Sequence, residues 1–192
     1  MSLSPIAARR LAIAQTLLLL TALLLAPVVM RLWLWGFSSS GLLSDLLTGL
    51  ALATLLYGRR PWLLAPVLLV WAMAQSGVVE LVEAVGRMPE LADLEYLTDP
   101  AFLSQSAGGN GLTQPLYAGS LLILALLTTL FNLRLARIPA LPAKLWGIPL
   151  LLLAAMHTLA MQLEDTREPW KQYNIVHRLA AEKVLRILSE HH

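Results

Sequence analysis

The stretch GRMPELADLEYLTDPAFLSQSAGGNGLTQP, residues 86–115, is a polar island in an otherwise apolar chain. Three long apolar runs precede it and two follow it. Residues 93–103 within it mix acidic side chains with large apolar ones, so this interval is too polar to cross a bilayer and too apolar to be a plain flexible linker. We expect it to fold as a lid on the membrane surface.

Composition places the chain among membrane proteins. Hydrophobic residues make up 57% of its 192 residues, charged residues only 14%, and the mean hydropathy is +0.67. Soluble domains carry roughly 25% charged residues, and here the apolar residues come in blocks. There is no cysteine, which excludes disulfides, thiol catalysis and Cys-ligated metals. The sequence therefore predicts an integral membrane protein.

The apolar runs predict an all-α polytopic domain over residues 1–163. A run of about 20 apolar residues is long enough, at ~1.5 Å per residue, to cross a ~30 Å hydrocarbon core. We predict five transmembrane helices and an external lid loop at residues 84–115; the helices are placed at 11–30, 42–57, 62–82, 116–133 and 145–163. Residues 164–192 continue as a tail that Thr166 and Pro169 can start as a helix. Its apolar residues share one helix face, which predicts an external amphipathic helix.

The basic residues predict the orientation of these helices. Positive charge is enriched on the cytoplasmic side of membrane proteins. With a cytoplasmic N-terminus, that side holds seven bases of the loops and no acid: Arg9, Arg10, Arg59, Arg60, Arg134, Arg137 and Lys144. All twelve acids then fall on the opposite side, together with the C-terminus.

Several polar side chains near the external helix ends are candidates for a binding site, because hydrocarbon solvates such groups badly. They share a depth in the predicted topology and would form an outward recess if their faces converge: Arg31, Asp45, Glu80, Glu83, His157 and Gln162. A simpler interpretation stays open for the acids and for His157. The acids lie near helix ends where water can solvate them, and His157 can serve as an interhelical hydrogen-bonding group.

Signatures of common catalytic sites are absent from the sequence. There is no Gly-rich phosphate loop before a helix, no HExxH and no GxSxG. The glycine-rich stretch 108–111 is typical of a turn, and Arg59 and Arg60 are typical of a topology signal. We therefore expect no metal site, no cofactor and no nucleic-acid partner for this chain.

Two segments resemble a known family. DLEYLTDPAFL at residues 93–103 and WKQYN at residues 170–174 resemble segments of the membrane domain of lipoteichoic-acid-synthase-like proteins, in the sulfatase superfamily of phosphoglycerol and phosphoethanolamine transferases. The resemblance implies a bacterial cytoplasmic (inner) membrane, and an external catalytic domain that binds a divalent metal. Neither segment carries a catalytic signature, so the resemblance implies the membrane module without its catalytic half.

The expected function is therefore to anchor an external transferase or hydrolase and to present its lipid. In this hypothesis the recess admits a phospholipid headgroup: Arg31 pairs with the phosphate, and Asp45, Glu80 or Glu83 meets an amine or hydroxyl group. The side chains expected to face the catalytic domain are Tyr96, Phe102, Trp170 and Tyr173, and homo- or hetero-oligomers are compatible with this role. Two alternatives remain: a non-catalytic structural subunit of a larger membrane complex, and a small transporter or intramembrane enzyme that uses His157.

Overall fold

The computed structural model describes residues 4–56, 61–93, 113–133, 142–165 and 167–190, and no strand occurs in these ranges. The all-α fold is as predicted. The helices are α1 (Pro5–Leu34), α2 (Ser39–Leu56), α3 (Pro61–Val85), α4 (Thr113–Leu133), α5 (Ala143–Leu163), α6 (Pro169–Gln172) and α7 (Ile175–Glu190). The first five coincide with the predicted apolar runs to within a few residues at most ends, and α1 begins earlier than predicted.

Three of the described helices are long and apolar enough to cross a membrane: α1 over Pro5–Leu34, α3 over Ala65–Glu83 and α5 over Leu145–Leu163. The apolar stretches of α2 and α4 are shorter, Ser39–Leu55 and Leu116–Leu130. The length and composition of these helices indicate that the chain associates with a membrane.

Glycines end two of the long helices. Gly36 follows α1 with φ of +78°, and Gly86 follows α3 with φ of +70°. Only glycine adopts this left-handed conformation at little cost, and it is the usual residue just beyond a helix C-terminus. The chain can therefore turn sharply after Trp35, whose N–H still bonds the carbonyl of Arg31 at 2.9 Å.

The first five helices pack in a row. The most extensive contacts pair α5 with α2, α2 with α1, α1 with α4, and α4 with α3, while α6 and α7 lie against α2 and α3. A contact between Glu164 and Ser39 brings the end of α5 to the start of α2. We call this the Ser39 end of the bundle. An apolar core fills the middle of the row, built from Leu23, Leu52, Leu68, Trp71, Ala72, Leu121 and Ala125.

The bundle has an apolar exterior and a partly polar interior. Leu18, Ile148 and Leu151 are more than 70% exposed. By contrast, Arg31, Asp45, Gln75, His157 and Asn174 are each less than 5% exposed. Water would favour the opposite distribution, whereas hydrocarbon favours this one. The burial pattern thus agrees with helices that face lipid.

The tail differs from the single amphipathic helix predicted over residues 164–192. Residues 164 and 165 are non-helical, α6 spans four residues, and the helix breaks at Tyr173 and Asn174 before α7 begins. The predicted starting residue Pro169 is the first residue of α6, whereas Thr166 lies outside the described residues. The break occurs because the backbone around residue 174 bonds buried side chains of the bundle in place of its own helix.

Candidate functional site

Arg31 lies at the centre of a buried polar cluster at the Ser39 end. Its guanidinium pairs with the carboxylate of Asp45 through Nε–Oδ2 at 2.7 Å and Nη2–Oδ1 at 3.1 Å. It also donates to three backbone carbonyls, those of Trp170 at 2.5 Å, Lys171 at 3.0 Å and Tyr173 at 3.1 Å. A guanidinium has five N–H donors. All of them are therefore used inside the protein.

Residues 170–174, which we call the returning segment, enter the bundle from its Ser39 end. Asp45 is six residues into α2 and His157 is six residues before the end of α5, so each lies ~9 Å inside the helix ends. The returning segment bonds both side chains. After leaving α5, the chain therefore turns back into the bundle before α7 begins.

Asn174 joins the returning segment to three helices. Its Nδ2 donates to Asp45 Oδ1 at 2.8 Å and to Gln75 Oε1 at 3.1 Å, and its Oδ1 accepts from Gln75 Nε2 at 2.9 Å. Its backbone N–H donates to Ser44 Oγ at 2.8 Å. Oδ1 also accepts the N–H of Val176 at 3.1 Å, which is the bond an N-cap residue makes to its helix. One side chain thus caps α7 and fixes it to α2 and α3.

A second group of side chains holds the returning segment from the α5 side. His157 Nε2 lies 2.9 Å from the carbonyl oxygen of Gln172, and this nitrogen must be the donor because a carbonyl only accepts. The rings of His157, Tyr173 and His177 contact one another, with centroids 4.6–5.1 Å apart. His177 Nδ1 lies 2.7 Å from Ser44 Oγ. The carbonyls of residues 170–173 therefore all receive a donor from a buried side chain.

Glu164 ties the end of α5 to the start of α2. Its carboxylate accepts from the backbone N–H groups of Ser39 at 2.6 Å and Ser40 at 3.1 Å, and from the hydroxyls of Ser38, Ser39 and Ser40. Burial raises the pKa of Glu164, but the serine hydrogen bonds outweigh it and lower the pKa to about 2. An anion is also favoured at a helix N-terminus. Glu164 is therefore charged at neutral pH and caps α2.

Three residues predicted to line the recess lie together, and three do not. Arg31, Asp45 and His157 are all buried at the returning segment. Glu80 is half-buried, whereas Glu83 and Gln162 are exposed; within the described ranges no hydrogen bond joins these three to the cluster. Trp170 and Tyr173, predicted to face a partner, are half-buried parts of the returning segment. Tyr96 and Phe102 lie outside the described residues.

The recess is closed in this arrangement. The space beside Arg31 and Asn174 is a cavity of about 10 Å³, lined also by Trp35 and Tyr117. Such a volume holds about one water molecule. It cannot hold a phospholipid headgroup, and Arg31 offers no donor to a phosphate. The predicted pairing of Arg31 with lipid stays a prediction, and it would require the returning segment to leave its position.

Sequence reasoning missed five side chains of the site: Ser44, Gln75, Glu164, Asn174 and His177. Gln75 gave a signal, since it is an amide in the middle of an apolar helix and needs a partner there. Asn174 gave a weaker one, because asparagine immediately before an amphipathic pattern is typical of an N-cap. The partners themselves are distant in sequence, so no local pattern connects them.

The chemistry of the cluster is that of a structural junction. Among the described residues, no group of three or more His, Asp or Glu side chains is positioned to hold a metal ion. Arg31 and Asp45 neutralise each other, and the histidine rings contact protein groups. Neither the Arg31 nor the Asp45 charge faces an open cavity, so these side chains bind the returning segment. We call the group formed by the following side chains the polar clamp: Arg31, Ser44, Asp45, Gln75 and His157.

Comparison with known proteins adds no relative: no family model, no curated protein and no solved structure matches this chain. The resemblance of residues 93–103 and 170–174 to the membrane domain of headgroup transferases therefore stays a sequence-based prediction.

Proposed function

We propose that this chain is a membrane anchor that fixes the position and direction of α7, so that a partner carried by α7 is held at the membrane surface. The observation that supports the proposal is the set of bonds from Arg31 to the carbonyls of residues 170, 171 and 173. All donors of the buried Arg31 are bonded to Asp45 and to these carbonyls, so none is available to a substrate, and the bonds hold the returning segment in one position.

The proposal takes all five long helices as transmembrane, with the N-terminus cytoplasmic and the Ser39 end external. In hydrocarbon, irregular backbone is tolerated only where protein groups satisfy it. The returning segment meets this condition, since Arg31 and His157 supply donors to its carbonyls and Ser44 accepts the N–H of Asn174. The polar clamp is thus what allows a polar segment to enter a bundle that faces lipid.

Hydrogen bonds give this junction its direction. Apolar contacts of α7 with α3, through Ile175, Val176 and Leu179 against Val78 and Val82, stabilise the docking but are non-directional. The bonds of Asn174 and Arg31 exist in only one register, because each donor meets one acceptor. We therefore propose that the clamp sets the angle at which α7 leaves the bundle.

The outer half of α7 is the proposed attachment surface for the partner. Val184, Leu185 and Leu188 are 55%, 67% and 56% exposed, although the first turns of the same helix are half-buried against the bundle. The finer proposal is that the partner is the catalytic domain of a lipid headgroup transferase. It rests on the resemblance of residues 93–103 and 170–174 alone.

Rigid attachment can be tested by distance measurements between spin labels. Because the chain has no cysteine, the substitutions Leu163→Cys on α5 and Lys183→Cys on α7 give two unique labelling positions, both exposed. We expect a narrow distance distribution in lipid nanodiscs. Arg31→Ala should broaden it, because three carbonyls and Asp45 lose their donor, and Arg31→Lys should broaden it less, since an ammonium has three donors.

The matched control is Arg10→Ala, which removes an exposed arginine from the other end of the same helix. It should leave the distribution narrow. A broad distance distribution in the protein with an intact polar clamp would refute the proposed anchoring role. A distribution that stays narrow in Arg31→Ala while α7 is folded would also refute it.

A further inference from the structure

His157 and His177 bring two titratable rings together where the returning segment meets the bundle. Their centroids are 4.6 Å apart, and the ring of Tyr173 contacts both at 4.9 and 5.1 Å. The three rings come from α5, the returning segment and α7. A change of charge on either imidazole therefore acts directly on the contact that holds α7 in place.

The hydrogen bonds at the two rings use one nitrogen of each ring. His157 donates from Nε2 to the carbonyl of Gln172. Ser44 Oγ accepts the N–H of Asn174, so its own hydrogen can point to His177 Nδ1 at 2.7 Å. Neither ring requires a second proton to satisfy its neighbours.

The charged groups on the neighbouring elements are already paired or lie beside Tyr173. From α1 comes the cation of Arg31, whose charge is balanced by Asp45 of α2. From α7 comes Arg178, whose guanidinium lies 5.8 Å from the centre of the Tyr173 ring. Among the described residues, no carboxylate forms an ion pair with either histidine. A proton taken up by His177 would therefore be a half-buried positive charge beside the His157 ring, with no carboxylate paired to it among the described residues.

We propose that His177 is an acid-sensitive release for the returning segment: its neutral ring, packed against His157 and Tyr173, holds the segment in the polar clamp, and protonation of His177 expels it and frees α7. The proton would come from the aqueous phase at the Ser39 end. The consequence for a partner rests on the anchoring role proposed above, because release matters only if α7 carries one.

The titration of His177 gives the direction and the pH window. Burial lowers the pKa of His177, and neighbouring His157 lowers it further, to about 4 from an ordinary value of 6.5. A histidine with a lowered pKa stabilises the docked state fully above pH ~6.5, and this contribution is lost as the pH falls towards ~4. With these two pKa values, the equilibrium constant for docking of the returning segment should be roughly 30-fold lower at pH 5 than at neutral pH.

Hydrogen exchange at the amide of Asn174 measures this equilibrium even when the released state is rare. We expect its protection factor, corrected for the intrinsic pH dependence of exchange, to fall roughly 30-fold between pH 7.5 and pH 5. The amide of Gly86, which bonds the carbonyl of Val82 at the end of α3, reports any general loosening and should keep its protection. Glu164, with a pKa of about 2, stays charged over this range.

The decisive variant is His157→Gln with His177→Asn. The glutamine amide can still donate to the carbonyl of Gln172, and the asparagine oxygen can accept from Ser44, but neither side chain titrates. Protection of Asn174 in this double variant should be unchanged from pH 7.5 to pH 5. His177→Asn alone should remove most of the pH dependence, which keeps the test valid if the double variant fails to fold.

The outcomes separate the switch from the anchor. Protection that is high at pH 7.5 and stays high at pH 5 in the unsubstituted protein overturns the switch and leaves the anchor intact. An equal fall in the unsubstituted protein and in a folded His177→Asn variant also overturns the switch, because protonation of His177 is then not its cause. Low protection of Asn174 already at pH 7.5 overturns the anchoring proposal itself.

Discussion

Replacing Asp45 by asparagine removes one negative charge from the polar clamp with almost no change in size. Asp45 is 1% exposed and Arg31 is 4% exposed, and Nε–Oδ2 is 2.7 Å. The substitution therefore leaves the guanidinium buried without a counter-charge. Breaking a buried ion pair from one side typically costs about 3–5 kcal/mol. We expect Asp45→Asn to lower the free energy of unfolding by about that amount.

The chain contains its own matched control. Arg87 and Asp93 form a bidentate pair with both N–O distances 2.7 Å, but Arg87 is 47% exposed and Asp93 is 18% exposed. Exposed ion pairs contribute ~0–1 kcal/mol because water screens them. Asp93→Asn should therefore lower the free energy of unfolding by ~1 kcal/mol or less. The two substitutions are chemically identical and differ chiefly in burial.

The assay is equilibrium unfolding in lipid–detergent bicelles, with tryptophan fluorescence and circular dichroism as independent probes. A loss for Asp45→Asn that equals the loss for Asp93→Asn would refute the reasoning, because it would mean that Arg31 is solvated and does not depend on Asp45 for its counter-charge. A loss several times larger for Asp45→Asn agrees with a dry cluster.

A double substitution separates a clamp from an ordinary buried ion pair. Replacing both partners of such a pair by apolar residues is often neutral or stabilising. Here Arg31→Met with Asp45→Leu would also leave the carbonyls of Trp170, Lys171 and Tyr173 without their donor. Each unsatisfied buried group costs about 1–3 kcal/mol. The double variant should therefore remain destabilised, and recovery to the original stability would contradict the proposed role of Arg31.

Two further substitutions test the contacts on either side of the clamp. A Cβ at Gly41 would collide with the carbonyl oxygen of Lys171 and lie 2.6 Å from a nitrogen of Arg31, so Gly41→Ala should lower the free energy of unfolding by about 1–3 kcal/mol and displace the returning segment. The control is Gly77→Ala, which should be neutral or slightly stabilising because nothing lies within 4 Å of the added Cβ. Equal effects of the two substitutions would argue against a tight junction. Glu164→Gln should lower the free energy of unfolding by about 1–2 kcal/mol at pH 7. Because the pKa of Glu164 is lowered, glutamate stabilises the fold more than glutamine does above pH ~4.5, and this difference should shrink as the pH falls towards 2. An equal loss of stability at pH 7 and at pH 3 would contradict this explanation.

The sequence predicted the positions of the five long helices well because their signals are local. Each apolar run is bounded by prolines, glycines or charged residues, and α1–α5 cover the predicted runs. It also predicted that Arg31, Asp45 and His157 share a depth, which follows from alternating helix directions and a fixed rise per residue. Glu80 and Glu83 stay outside the cluster. Helix α3 continues to Val85, so these acids lie about 7–12 Å along the axis beyond Gln75, which is the residue of α3 that reaches the clamp.

The local sequence pattern did not predict that the returning segment, residues 170–174, would occupy the recess. The sequence predicts that Trp170 and Tyr173 face a partner, and no local pattern indicates that residues 170–174 enter the bundle. Their backbone enters the bundle only because Arg31, 139 residues before Trp170, supplies donors to it. Gln75 and Asn174 are likewise 99 residues apart. Such pairings depend on the packing of α2 against α1 and α5, which no periodicity encodes.

An arginine suits this junction better than apolar packing would. In the proposed membrane location, leucine or phenylalanine at position 31 would gain little from burial, because lipid tails are as apolar as a protein core. It would also leave three carbonyls without donors. The planar guanidinium supplies five donors in fixed directions, which match one carboxylate and three carbonyls at once. A slip of the returning segment by one residue would break several of these bonds together. The cost of burying the charge is thus offset by Asp45, and what remains is a junction with a single register.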